Sequence, residues 1–295
     1  MDATAAQRSA AVAGVFDRVA DSYDTLGVPW FGPIAERLLT ELAPQQGERA
    51  LDVGCGRGAV LFRLADAVGP AGAVTGIDLS SRMVEACRAD LAQRPQEPPT
   101  TPVELHVMDA GAPDLPPGSY DLVVSSLVLF FLPDPPGAVR AWSDLLVPGG
   151  RVGVSTFGPQ DDAWRAVDDV FTPYLPQRML DARTSGRSGP FATDAGVEAL
   201  FTGAGLESVT TTTLDLQVRF DDVEQWRAWT WSHGQRLMWE AVPEQERPAV
   251  LERAARVLDA ARGDDGRPAL GQQVRFTVGS RPEQGRGEHG RREQA

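Results

Sequence analysis

The chain has 295 residues, 42% of them hydrophobic, and a formal net charge of -13. That is enough to bury a sizeable core as one large domain or two small ones, and too acidic for a surface built to neutralise phosphates, which disfavours a nucleic-acid partner. No apolar run approaches the ~20 residues of a membrane span, no basic-then-apolar leader is visible, and Cys55 and Cys87 are the only cysteines, so the expectation is a cytoplasmic protein without a disulfide framework, metal or membrane association.

Residues 1–45 read as helices. Val12, Val15, Phe16 and Val19 fall at helical spacing, and a second helix over Ile34–Leu42 stops before Pro44. An apolar run, Ala50, Leu51 and Val53, then enters Gly54-Cys55-Gly56-Arg57-Gly58, and an amphipathic run, Val60, Leu61, Leu64, Ala65 and Val68, leaves it. That is strand, tight turn, helix. The next apolar run, Ala73 to Ile77, ends in Asp78. This layout places a nucleoside-bearing ligand at the carboxyl ends of two adjacent parallel strands, with the glycines admitting close backbone approach and the acid accepting from the ribose hydroxyls. Gly54, Gly56 and Ala59 alone also satisfy a dinucleotide fingerprint, which leaves a nicotinamide dehydrogenase as an alternative. Asp52 argues against it, because an anion just before the first glycine repels a pyrophosphate. A ligand with an ammonium, a sulfonium and a single carboxylate suits an acid-led glycine turn better, and S-adenosylmethionine is such a ligand.

The stretch Leu51 to Gly58 resembles motif I of the class I S-adenosylmethionine-dependent methyltransferases. The resemblance continues in order through Gly76-Ile77-Asp78-Leu79-Ser80, Val107-Met108-Asp109-Ala110, Tyr120 to Ser126 and Leu145 to Val152, covering roughly residues 15 to 157. Phe16 to Asp24 is similar to the N-terminal cap of the small-molecule (UbiE-like, methyltransferase type 11) subgroup. The resemblance implies a Rossmann-like, seven-stranded, mostly parallel sheet with helices on both faces and S-adenosylmethionine as cofactor. It implies that Tyr23 lies over the methionine end, which Asp52 faces. Gly54, Cys55, Gly56 and Gly58 form the turn, Asp78 takes the ribose, and Leu79 and Met83 lie along the adenine. Asp109 and Ala110 meet the adenine edge, and Ser125 and Ser126 end the fourth strand beside the methyl group. Where relatives often carry a histidine, this chain has Phe130 or Phe131, an apolar wall that removes one candidate base.

Asp134-Pro135 opens the helix after the fourth strand, and Pro148-Gly149-Gly150 turns into a fifth strand over Arg151–Thr156. Asp162 to Tyr174 is amphipathic, residues 182–190 read as a mobile loop, Thr193 to Ala204 as a helix, and Thr210 to Phe220 as a sixth strand rich in β-formers. Between it and a seventh strand over Gly271–Gly279 lies a helical stretch holding four of the seven tryptophans, Trp226, Trp229, Trp231 and Trp239, together with His233. This is read as a substrate lid. Trp226, Trp229 and Trp231 join Phe130 and Phe131 as candidate walls of an aromatic acceptor pocket, with plain core packing as the competing reading. The domain expectation is a cap (1–45), a cofactor-binding core (46–220), a helical lid (221–268), the last core strand (269–280) and a disordered tail (281–295).

The chain lacks lysine, which excludes Schiff-base and lysine-base chemistry. Of the three histidines, His289 falls in the tail and His106 inside a strand, which leaves His233 as the candidate general base or hydrogen-bond donor to the acceptor, with packing of a helical hairpin as the competing reading; an acidic acceptor needs no base at all. The expected function is methyl transfer to a small apolar or aromatic metabolite by alignment and exclusion of water, in a monomer or homodimer. A peptide or protein acceptor, or a cofactor-binding module without turnover, stand as alternatives.

Overall fold

The computed structural model describes residues 3–95, 100–176 and 188–283. Seven strands form one sheet: β1 (Arg49–Val53), β2 (Ala73–Asp78), β3 (Val103–Val107), β4 (Tyr120–Ser126), β5 (Leu146–Gln160), β6 (Glu207–Arg219) and β7 (Ala269–Ser280). Their order is β3-β2-β1-β4-β5-β7-β6. The first five pair parallel, and β7 is antiparallel to both β5 and β6. Connections run one way from β1 through β2 to β3 and the other way from β4 to β5. A crevice therefore opens above the carboxyl ends of β1 and β4, where a doubly wound sheet binds its ligand.

The described helices are α1 (Ala3–Val19), α2 (Phe31–Leu42), α3 (Leu61–Val68), α4 (Ser81–Gln93), α5 (Pro135–Leu145), α6 (Asp162–Asp169), α7 (Asp194–Thr202), α8 (Val223–Trp231), α9 (Arg236–Ala241) and α10 (Arg247–Ala260). Local sequence explains their limits. In α3 the buried Leu61, Leu64, Ala65 and Val68 make one stripe at i, i+3, i+4 and i+7. At α5, Asp134 accepts from the Gly137 N–H at 3.0 Å and Pro135 takes the first turn, where its missing N–H costs nothing. Gly153 of β5 leaves room for α2: a Cβ there would lie 2.6 Å from Leu42 Cγ. Its neighbours Val152 and Val154 point to the opposite face and are fully buried, so the sheet is covered on both sides.

Several boundaries differ from the sequence reading. The fifth strand begins at Leu146, not Arg151, and runs to Gln160. Its pairing with β4 jumps from Tyr120↔Leu146 to Leu122↔Arg151, and Gly149, at φ 78°, lies within the jump. Glycine permits that conformation, so the turn is absorbed as a bulge rather than ending the strand. The sixth strand spans Glu207–Arg219, and α6 stops at Asp169 before a single 3-10 turn over Thr172–Tyr174. Most of the expected mobile loop, 182–187, lies outside the described residues, as do 284–295 of the expected tail and His289 in it. Ser188 to Pro190 are described: they lead into a 3-10 turn, Gly189–Ala192, whose Phe191 is fully buried. His106 sits exposed on β3, the sheet's edge, 3.4 Å from Glu104. Among the described residues, no helix is long and apolar enough to cross a membrane, and no three His, Cys, Asp or Glu side chains are grouped to hold a metal ion.

Candidate active site

The turn after β1 is held by β2. Gly54 N–H and Cys55 N–H both donate to the Ile77 carbonyl, at 2.7 and 2.9 Å. Gly56 N–H donates to Asp78 Oδ2 at 2.9 Å and Ser80 N–H to Asp78 Oδ1 at 2.8 Å. Desolvation nevertheless pushes the Asp78 carboxyl above its ordinary value, against the pull of those N–H groups. Gly54, at φ 74°, is where two segments meet: a Cβ there would come within 2.4 Å of Val128 Cγ2, on the loop after β4. That loop begins with Leu127 at φ 58°, a conformation costly for a leucine. Leu127 is held by its N–H, which donates to Ser155 O and Oγ at 3.1 Å each.

Two cavities flank this turn. One, of about 230 Å³, is lined by Tyr23, Phe31, Asp52, Cys55, Ala59, Phe62, Arg63 and Ser126 among others. The second, of about 90 Å³, is lined by Asp78, Leu79, Met83, Asp109, Ala110, Val128, Phe131 and Leu132, and by Ser9, Val12, Ala13 and Phe16 of α1. Gly54, Gly56, Tyr23 and Ser126 border both. Asp52 is fully buried, and its Oδ2 has no partner. Burial pushes its carboxyl up to about 8, Asp78 adds to the rise, and the Leu61 N–H opposes it. Tyr23 stacks on Phe31 with centroids 4.6 Å apart. Burial, then Asp24 and Asp78, raise its hydroxyl pKa, so it stays a donor. A hydrogen bond with Cys87, then burial, raise the Cys55 thiol, so it is no nucleophile.

Other expected residues lie elsewhere. Ser125 is fully buried and donates to the Val53 carbonyl at 2.9 Å. Strand alternation turns it away from the cavity that Ser126 faces. Gly58, at φ 91°, serves Phe62 instead, whose ring would meet a Cβ at 2.6 Å. Phe131 lines the smaller cavity, whereas Phe130 packs behind it, against Phe157 at 5.2 Å and Phe191 at 6.1 Å. The tryptophans pack among themselves. Trp226 lies against Trp239, and Trp231 stacks on Trp239 with guanidiniums of Arg236 and Arg247 5.3 and 5.4 Å from its ring. Trp229 touches Trp30, Trp164, Phe220 and His233. None of Trp226, Trp229, Trp231 or His233 borders either cavity. His233 is buried with its pKa driven down to about 3 by desolvation alone.

Residues 51–154 match the family model described as a methyltransferase domain. The chain is 37% identical over 257 residues to the nocamycin O-methyltransferase of Saccharothrix syringae, an alignment spanning 83% of this chain and 90% of that protein. The chain is a class I S-adenosylmethionine-dependent methyltransferase. It is also 39% identical over 170 residues to the aklanonic acid methyltransferase DauC of a Streptomyces species, covering 58% of this chain and 76% of that one. Among solved structures, the YcgJ protein of Bacillus subtilis superposes with a TM-score of 0.56 over 85% of this chain and 99% of its own, at 16% identity, which speaks for the fold. The dehydrogenase alternative drawn from Gly54, Gly56 and Ala59 is thereby set aside.

The methyltransferase's residues fit its cofactor on their own chemistry. The orphaned Asp52 carboxylate oxygen is an acceptor in want of a cation. Asp78 is fixed by two backbone donors and borders the smaller cavity, whose apolar wall is supplied by Leu79, Met83, Val128 and Leu132. The Trp142 indole ties α5 to this end by donating to the Ala110 carbonyl at 2.8 Å.

The sequence reading missed how α1 takes part. Val12 and Phe16 line the cavity while Val19 packs on Met83. Asp17 accepts from Ser80 Oγ at 2.6 Å, and Ser80 Oγ in turn accepts from Met83 N–H at 3.0 Å as the cap of α4. Arg57, between the glycines, pairs with Asp90 through two 2.8 Å bonds and turns its Nη1 to the carbonyls of Ala20, Asp21 and Tyr23. Helical spacing announces an apolar face on α1, but not that Val12 and Phe16 line a cavity.

Proposed function

We propose that this methyltransferase methylates an oxygen of a small aromatic metabolite that ionises without help from the protein, such as a carboxylic acid or an acidic enol or phenol. The carrying observation is His233: buried, with its pKa depressed to about 3 and its Nδ1 already accepting the Gln235 N–H at 3.3 Å. Such an imidazole is a poor proton acceptor at neutral pH, so the earlier assignment of His233 as general base is replaced by a base-free reading. The two relatives support it, one named for O-methylation and the other for an acid.

S-adenosylmethionine, when bound, supplies an electrophilic methyl group on a sulfonium that leaves readily. Asp52 and the glycine turn would hold the methionine end, Asp78 the ribose, and Leu79, Met83, Asp109 and Ala110 the adenine. Ser126, at the end of β4 and bonded to Ser155 Oγ at 2.9 Å, sits where the two cavities meet and would border the reacting oxygen. Phe131 and the Phe130–Phe157–Trp30 stack behind it would exclude water and align the acceptor. The helices between β6 and β7 would act as the lid. The test is incubation of the enzyme and S-adenosylmethionine with matched aromatic carboxylic acids and neutral aromatic alcohols. Mass spectrometry should find methyl esters or ethers only from the acidic set; methylation confined to neutral alcohols or to amines contradicts the base-free reading.

A further inference from the structure

Four buried polar atoms without partners gather where the β5–α6 segment meets the α8–α9 loop. They are Gln160 Oε1, Trp164 Nε1, His233 Nε2 and Gln235 Oε1. The rings of Trp164 and His233 both pack on Trp229, with centroids 6.1 and 4.3 Å from it. Asp168 draws the two carboxamides together, accepting from Gln160 Nε2 and from Gln235 Nε2 at 3.1 Å each. Because their NH2 groups serve Asp168, the carbonyl oxygens are the ends left over. His233 Nδ1 accepts the Gln235 N–H, so the ring proton resides on Nε2, an unanswered donor. His233 is 9% exposed and Trp164 4%. The patch therefore holds two donors and two acceptors, all uncharged, on aromatic walls. It also adjoins the reaction cavity: a Cβ on Gly234 would lie 3.9 Å from the ring of Phe131, which lines that cavity.

Buried groups without partners cost stability, and a native fold carries only a few. Four in one place call for a shared partner. We infer that His233, Trp164, Gln160 and Gln235 form the recognition site for the methyl acceptor, which is an aromatic molecule bearing both a carbonyl or carboxylate oxygen for the two N–H donors and a hydroxyl for the two amide carbonyls. The inference rests on the methyltransferase reading of the neighbouring cavity and gives it a substrate class. His233 is then a donor to the acceptor rather than a base, and specificity comes from neutral hydrogen bonds that an unadorned hydrocarbon cannot satisfy. Binding there requires the α8–α9 segment to shift, since these groups are packed against one another here.

The probe is 3-hydroxy-2-naphthoate, with naphthalene as the comparison lacking polar groups. Both are titrated by calorimetry into enzyme saturated with S-adenosylhomocysteine. Wild type should bind the hydroxynaphthoate and prefer it to naphthalene. His233→Phe keeps the ring on Trp229 and deletes the donor; Trp164→Phe and Gln235→Met act likewise at the other groups. Each should weaken the probe about tenfold or more while leaving S-adenosylhomocysteine affinity unchanged and the melting temperature equal or higher, because an orphaned polar group has been removed. A purely structural role would lower the melting temperature and leave the probe affinity alone. Failure of the wild type to prefer the hydroxynaphthoate, or unchanged probe affinity in whichever of the three variants fold, overturns the inference. Loss of S-adenosylhomocysteine binding by the wild type would instead strike the methyltransferase reading itself.

Discussion

At the residue scale, the site is built by side chains placed against their own preferences. Asp52 is buried with one oxygen unpaired and its carboxyl raised to about 8. Its folded value lies above its ordinary 3.8, so the stability it lends the empty fold is fully present below about 4 and is lost as pH rises through about 8. A cationic methionine end favours the ionised form. Cofactor affinity should therefore climb between about pH 6 and pH 9 as the proton is displaced. Asp52→Asn should flatten both profiles, raising the melting temperature of the empty enzyme at pH 9 and weakening cofactor tenfold or more, by a rough estimate for a lost charge-assisted contact. Calorimetry and thermal melts across pH check this; a pH-independent affinity in the wild type would count against Asp52's role. Gly54 carries a second expectation. A methyl there clashes with Val128 in a backbone conformation at φ 74° that resists side chains. Gly54→Ala should lower stability by about 1–3 kcal/mol and abolish measurable cofactor binding. Near-normal binding would mean the β1 and β4 turns do not need their close approach.

At the scale of elements, the cap helix α1 is fastened by polar ties at its C-terminal end as well as by Val19 packing on Met83. Arg57 gathers the carbonyls of Ala20, Asp21 and Tyr23 while gripping Asp90 of α4, and Asp17 reaches the N-cap of α4 through Ser80. Cationic groups are favourable at a helix C-terminus, so the residue between the glycines couples the glycine turn to the cap helix. Arg57→Gln should raise the KM for S-adenosylmethionine several-fold, with a smaller effect on kcat, and speed proteolytic cutting near residues 20–25; unchanged KM and cutting would make the contact incidental. At the other side, the 3-10 turn at Gly189–Ala192 is pinned by Phe191, fully buried against Phe130, and by Arg275 donating to the Phe191 carbonyl at 2.9 Å. Phe191→Ala should cost about 3–5 kcal/mol in thermal or urea unfolding; a cost below about 1 kcal/mol would mean the turn is not an anchor.

At the scale of the molecule, the glycine turn and its acidic neighbours beside the two cavities are legible in the sequence and the aromatic packing is not. Gly54, Gly56 and Asp78 sit in strand-to-loop turns whose chemistry is local, so spacing and residue type suffice to place them beside a cavity, whereas Asp109 follows from the family resemblance. Ser125 was misplaced because the period-two alternation of β4 sends one serine to the core and the next to the cavity, and the chain offers no local sign of which. The sequence leaves the tryptophans between pocket walls and plain core packing. Their arrangement depends instead on contacts between distant segments, Trp30 with Trp164 and Trp229 above all, which no local pattern encodes. The partnerless atoms of His233 and Trp164 were beyond sequence reasoning for the same reason: an unsatisfied group is recognised only once its surroundings are known. The central claim is that S-adenosylmethionine occupies the crevice at β1, β2 and β4 and is gripped by Asp78. The most direct test is calorimetric titration of the enzyme and of Asp78→Ala with S-adenosylmethionine and, separately, with NAD. The account predicts micromolar binding of S-adenosylmethionine, weakened tenfold or more in the variant by the rough scale of a lost buried carboxylate, and no binding of NAD. Absence of S-adenosylmethionine binding, preference for NAD, or an unaffected variant would contradict it.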